Sequence, residues 1–179
     1  CGAGGWRLGY FIIPEALTEL KNSIKNLASE TFSSVSAPIQ YAAIAAYNNN
    51  HNEYINDSRS ILKAVGEHVF ENLKSNTISI NKPQGGFYLM PEFLTQKFST
   101  SEEMCSNILN ETGVALLPGS DFGFSKERMI VRLSFTDFNG GEFMQNIKKT
   151  KKIDINFISK FAPKIIEGTK KLKLWSELI

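Results

Sequence analysis

Cysteine and histidine are scarce, two of each in 179 residues. Cys1 and Cys105 are too few for a disulfide framework. That favours a reducing compartment, and a cytoplasmic location is the expectation. His51 and His68 stand alone, so there is no Cys/His cluster at metal-ligand spacing and no metal site is expected. No run approaches the roughly 18 uninterrupted apolar residues that a membrane helix needs. An excess of one charge is missing too: 20 Lys and Arg against 18 Asp and Glu leave a net charge of +2. What the chain has is apolar material. At 42% hydrophobic and 21% charged, it has enough to bury a core. The length suits one large domain or two small ones.

The little excess charge is unevenly placed. Nine Lys against Asp154, Glu167 and Glu177 give residues 148–179 a charge of +6, which leaves −4 for the rest. The basic run KKTKK, Lys148 to Lys152, has no Arg or aromatic residue between its lysines, as a nucleic-acid platform would require. It reads as a solvated helix end, Lys complementing the C-terminal dipole. Neither a nucleic-acid nor a membrane partner is expected.

The opening, CGAGGWRLGY, reads as the end of a loop running into a strand. The sequence is therefore expected to be a piece of a longer protein. Trp6 to Ile13 (WRLGYFII) predicts a short buried strand. Pro14 then opens a helix in which Leu17, Leu20, Ile24 and Leu27 form one stripe to about Ala28. Ser29 to Pro38 reads as a polar loop, and Ile39 to Tyr47 as an Ala-rich helix ended by a cluster of Asn. A long helix is predicted over 53–74, with Ile55, Leu62, Val65, Val69 and Leu73 on its apolar face. It would be roughly 33 Å long.

Periodicity then changes. Thr77 to Asn81 and Phe87 to Met90 read as strands separated by the turn Lys82 to Gly86. Ser99 or Thr100 caps the next helix, with Glu102 or Glu103 completing a capping box, and Gly113 ends it. Val114 to Leu117 and Met129 to Phe135 read as strands, and about 141–149 as a helix. A last helix is expected from Phe157 to Trp175. The order fits an α/β or α+β chain with a boundary along the long helix.

Two arginines carry candidate chemistry. Arg7 lies among Gly2, Gly4, Gly5 and Gly9, which let a ligand approach closely. Its planar fork suits a phosphate; a structural pair with a Glu elsewhere is the other reading. In MIVRLSF, Arg132 shares a face with Ile130 and Ser134, opposite Met129, Val131, Leu133 and Phe135. It is placed to receive a carboxylate or to form a structural salt bridge, and the residues alone leave both open. Tyr88 and Ser120 suit packing or capping better than a pocket. Cys105 reads as a small apolar filler.

Four motifs occur in one order: GGWRLGY, PQGGFYL, PGSDFG and VRLSF. As a set, with APIQYAA at Ala37 to Ala43, they resemble the C-terminal half of class I/II aminotransferases, the pyridoxal-phosphate (PLP) enzymes of fold type I. The resemblance covers about residues 1–150. It implies an α/β fold: residues 1–55 as the end of the large PLP-binding domain, 56–179 as an α+β small domain joined through the long helix. It implies that Arg7 contacts the cofactor phosphate and Arg132 the substrate α-carboxylate. It further implies amino acid and 2-oxo acid substrates and a homodimer.

In that family the Schiff-base lysine and the acidic partner of the pyridine nitrogen lie upstream of the GWR motif, and this sequence begins after them. PLP chemistry needs both groups. No catalytic residue is therefore expected in this chain, and the chain alone is expected to be inactive. Two alternatives stay open: a PLP-dependent lyase or synthase of the same fold, and a non-catalytic interaction module using the basic tail.

Overall fold

The structure, a computed structural model, describes residues 2–150 and 152–179; Cys1, and Lys151 of the basic run, lie outside the described residues. The chain divides into two compact units, Cys1–Ile55 and Asn56–Ile179.

The first unit is two helices and an irregular N-terminal segment. The strand expected at Trp6 to Ile13 does not form. A 3-10 turn covers Gly4–Trp6, and the residues after it have no regular structure. A strand needs a neighbour for its N–H and C=O groups, and no described residue offers one. The apolar run is left in solvent, with Tyr10 67% and Ile12 83% exposed. Pro14 precedes a second 3-10 turn, Glu15–Leu17, that feeds α1 (Thr18–Thr31). The Leu17, Leu20, Ile24, Leu27 stripe is present but none of it is buried. α1 runs past the expected Ala28 and shortens the polar loop. α2 (Ala37–Asn48) has Pro38 in its first turn, and Tyr47 meets Tyr10 edge-to-face at 5.1 Å. The Asn cluster ends α2 as expected, and the His51 ring lies 2.9 Å from the Ala46 carbonyl.

The second unit holds the core. α3 (Asn52–Leu73) supplies Ile61, Val65, Val69 and Leu73, all buried at steps of four. The expected stripe is thus corrected near its start: Ile55 is exposed, Ile61 is inside, and Leu62 is only half-buried. Five short strands follow: β1 (Ile78–Ser79), β2 (Tyr88–Leu89), β3 (Glu92–Phe93), β4 (Leu117–Pro118) and β5 (Val131–Ser134). β1 pairs with β3, which the sequence reading missed. β5 is central to β2-β5-β4, and both sheets are antiparallel.

Thr100 caps α4 (Ser101–Thr112), its side chain accepting the Glu103 N–H at 3.2 Å. The Glu103 carboxylate returns to the Ser99 N–H at 2.9 Å, and Gly113 closes the helix at φ 74°. Val114 to Leu116 were expected to extend β4 but make no ladder. α5 (Gly140–Thr150) ends on Lys148 and Lys149. The single tail helix is corrected to two, α6 (Ile155–Phe161) and α7 (Pro163–Leu178), because Pro163 disfavours helical backbone at Ala162.

His68 is half-buried on α3, and burial holds its imidazole below the usual range. The neutral ring fits the fold, and the charged ring does not. Its contribution to stability is therefore present above the unfolded value of about 6.5 and is lost as pH falls through the lower folded value. The melting temperature should fall between pH 7 and 5, and His68→Gln should flatten that slope. Glu67, Glu92 and Glu102 are held low by Lys82, Arg128 and Ser120 respectively, so their contributions fade only below about pH 4.5.

Candidate functional site

Arg132 sits in the middle of β5, opposite Leu117 of β4 and two residues before Ser134, which pairs with Tyr88 of β2. Strand alternation puts Val131 and Leu133 into the core and turns Arg132 the other way, half-buried. Its guanidinium carbon lies 4.5 Å from the centre of the Tyr88 ring and 4.2 Å from that of Phe122. Each contact adds about 0.5–1 kcal/mol at an exposed site and fixes the plane of the fork. Phe122 arrives on the 3-10 turn Gly119–Phe122. That turn presses on β5: the Gly119 N–H donates to the Ile130 carbonyl at 2.8 Å. A Cβ on Gly119 would stand 2.8 Å from the same oxygen, so only glycine fits there.

Three motifs that are weak singly therefore converge on one side chain: Tyr88 from PQGGFYL, Phe122 from PGSDFG and Arg132 from VRLSF. The sequence reading did not single out Phe122. Its signal was an aromatic residue just after a Pro-Gly turn.

The neighbouring Arg128 shows what a structural arginine looks like here. It makes a two-pronged pair with Glu92, Nε to Oε1 at 3.0 Å and Nη2 to Oε2 at 2.7 Å. Arg132 pairs with no carboxylate among the described residues. A partly desolvated guanidinium, fixed by rings and lacking an anion, is suited to bind a carboxylate.

Ser120 does not face Arg132 with a free hydroxyl, since it donates to Glu102 Oε1 at 2.5 Å. Cys105 lies in the core. Burial, with Glu102 and Asp121 nearby, pushes its thiol up to about 11, so it is inert packing.

Arg7 lies in the first unit. It is exposed, and its backbone is left-handed at φ 56°, which a residue with a Cβ adopts rarely. It closes the Gly4–Trp6 turn through its N–H to the Gly4 carbonyl at 3.2 Å. Additional Cβ atoms at Gly4, Gly5 and Gly9 would meet nothing within 4 Å, so space is open around it. No carboxylate among the described residues pairs with it. The strand expected to carry Arg7 is absent, while the free cation beside a glycine-rich turn is present.

Residues 1–142 match the family model described as aminotransferase class I and II. An aspartate aminotransferase of Bacillus sp. (strain YM-2) is 35% identical over 124 residues, 66% of this chain and 31% of that protein. A probable aspartate/prephenate aminotransferase of Aquifex aeolicus (strain VF5) is 30% identical over 152 residues, 83% of this chain and 37% of that protein. The chain thus spans about a third of the length of these curated relatives. The solved alanine aminotransferase from Pyrococcus furiosus superposes with a TM-score of 0.66 at 25% identity, over 99% of this chain and 39% of that one. The motif order, the arginine flanked by aromatic rings on β5 and these matches agree: the chain belongs to the class I and II aminotransferase family.

Proposed function

We propose that this chain is the C-terminal portion of a PLP-dependent aminotransferase that moves an amino group between an amino acid and a 2-oxo acid. The observation that carries the reading is Arg132, free of any described carboxylate and flanked by Tyr88 and Phe122. On this reading Arg132 binds the substrate α-carboxylate. Residues 1–55 are the end of the PLP-binding large domain, and residues 56–179 are the small domain.

The family uses PLP, and Arg7 fits the phosphate of that cofactor, being exposed, unpaired among the described residues and ringed by open glycines. When bound, PLP supplies an electron sink at the substrate α-carbon. Arg7 would hold the phosphate and so fix the cofactor in place. The complete protein is proposed to be a cytoplasmic homodimer. The exposed apolar surface of the first unit supports assembly, Phe11 being 68% and Tyr41 74% exposed.

The direct test is an assay of the complete protein with amino acid and 2-oxo acid pairs. Amino transfer supports the reading, and breakdown of the amino acid without transfer points to a lyase. Arg7→Ala should weaken cofactor binding at least about tenfold, the worth of one charge-assisted hydrogen bond. Equilibrium titration with PLP checks it, and an unchanged affinity would remove Arg7 from the site.

A further inference from the structure

On the face of β5 opposite Arg132, α3 and the loop Pro83 to Gly86 form a cleft of about 320 Å³. Arg59, Leu62, Lys63, Glu67 and Phe135 line it together with that loop. Gly66 brings helix and loop together. A Cβ there would stand 2.9 Å from the Phe135 ring and 3.4 Å from Pro83. A glycine inside a helix weakens it relative to alanine, and here it permits the close approach.

Arg59 and Lys63 lie one turn apart on α3, a like-charge spacing that weakens a helix. Glu67, one turn further on, is engaged by Lys82 at 2.9 Å. Neither Arg59 nor Lys63 has a carboxylate within ion-pair distance among the described residues, though the charge of Lys63 helps, after Lys82, to hold Glu67 below its usual range. The N–H groups of Gly85 and Gly86 make no hydrogen bond to another described residue. Gly86 needs its glycine, at φ 70°. Gly85 has no such φ, and a Cβ on it would meet nothing within 4 Å. Neither backbone conformation nor crowding accounts for a bare backbone at Gly85.

We propose that this cleft binds a small molecule through an oxyanion, a phosphate or a carboxylate, held by Arg59, Lys63 and the Gly85–Gly86 backbone. The guanidinium fork matches either group, and successive free N–H groups form an anion-binding concavity. The site is separate from Arg132, because residues 133 and 135 face away from residues 132 and 134. The two are nonetheless connected. The loop continues through Phe87 into Tyr88, whose ring flanks Arg132 at 4.5 Å, so the two places are neighbours along the chain.

The test is a residue-resolved amide NMR titration of the 179-residue chain with inorganic phosphate and, separately, acetate. Chloride holds the ionic strength constant. Saturable shifts at Gly85 and Gly86 with either anion support the site and say which oxyanion it takes. The Arg59→Gln/Lys63→Gln variant should bind at least about tenfold more weakly, the worth of one charge-assisted hydrogen bond. Both side chains are exposed, so its spectrum elsewhere should be unchanged. Gly85→Ala should weaken binding with no change in melting temperature. No saturable shift with either anion, shifts centred on Arg132 instead, or undiminished binding by the double variant would overturn the proposal.

Discussion

Trp175→Ala should destabilise the second unit by about 3–5 kcal/mol, the range for truncating a buried Trp. Trp175 is 4% exposed on α7 and joins three parts of the fold. Its ring meets Phe93 of β3 edge-on at 5.5 Å and stacks near Phe98 at 5.9 Å. Its Nε1–H donates to Glu111 at 2.9 Å and to Asn107 at 3.2 Å, both on α4. Next to it, the Ser176 hydroxyl lies 2.9 Å from that of Thr77, just before β1. Removing the indole leaves a cavity beside Phe93 that backbone held by β1 and α4 cannot refill. Trp175→Phe separates the two contributions. It keeps most of the apolar area and loses the N–H shared between Asn107 and the Glu111 carboxylate, for about 1.5–3 kcal/mol plus a smaller packing loss. Urea unfolding followed by far-UV circular dichroism measures both. A midpoint for Trp175→Ala close to wild type would mean that α7 is an appendage rather than part of the core.

That result bears on residues 143–179, which lie beyond the family-model match. Their nine lysines suggest a solvated tail, and six of them, Lys148, Lys149, Lys164, Lys170, Lys171 and Lys173, lie on α5 and α7, all but Lys173 exposed. The opposite faces bury Phe143, Ile165, Leu172 and Trp175 in the core. Composition reports the outside of such a helix; only its periodicity reports the inside.

Helices were legible where their determinants are local. α3 starts one residue before and ends one residue before its expected bounds, and α4 has the expected Thr100 cap and Gly113 stop. Strands were legible only as segments. Trp6 to Ile13 and Val114 to Leu116 have strand composition, yet composition does not provide a neighbour, and neither run finds one. β3 was missed for the converse reason: Glu92-Phe93 is too short to show alternation and is a strand only because β1 lies beside it. At the candidate site, alternation along β5 was enough to separate Arg132 from the core. Its two rings come from distant turns, which no local pattern joins. The resemblance supplied the order of those motifs, and the fold shows why the order matters.

Arg132→Lys in the complete protein should lower kcat/KM for amino acids and their 2-oxo acids by about 10- to 100-fold. That is the loss of one charge-assisted hydrogen bond of ~1.5–3 kcal/mol, because a lysine keeps the charge but cannot offer two parallel N–H groups. The aromatic setting adds to the loss. The rings of Tyr88 and Phe122 lie 4.5 and 4.2 Å from the guanidinium carbon and suit a flat cation. A compact, strongly hydrated ammonium stacks poorly there and would shift toward water. On the proposed reading, simple amines that lack the carboxylate do not use this contact, so their turnover should change little. The comparison separates substrate binding from folding, since a misfolded small domain would penalise both substrate types alike. It also separates Arg132 from Arg128. Reducing the two-pronged Arg128–Glu92 pair to a single contact with Arg128→Lys should affect amines and amino acids equally, through the link between β3 and the segment before β5. Equal losses on both substrate types for Arg132→Lys would return Arg132 to a structural role, and the carboxylate would have to be held by another cation.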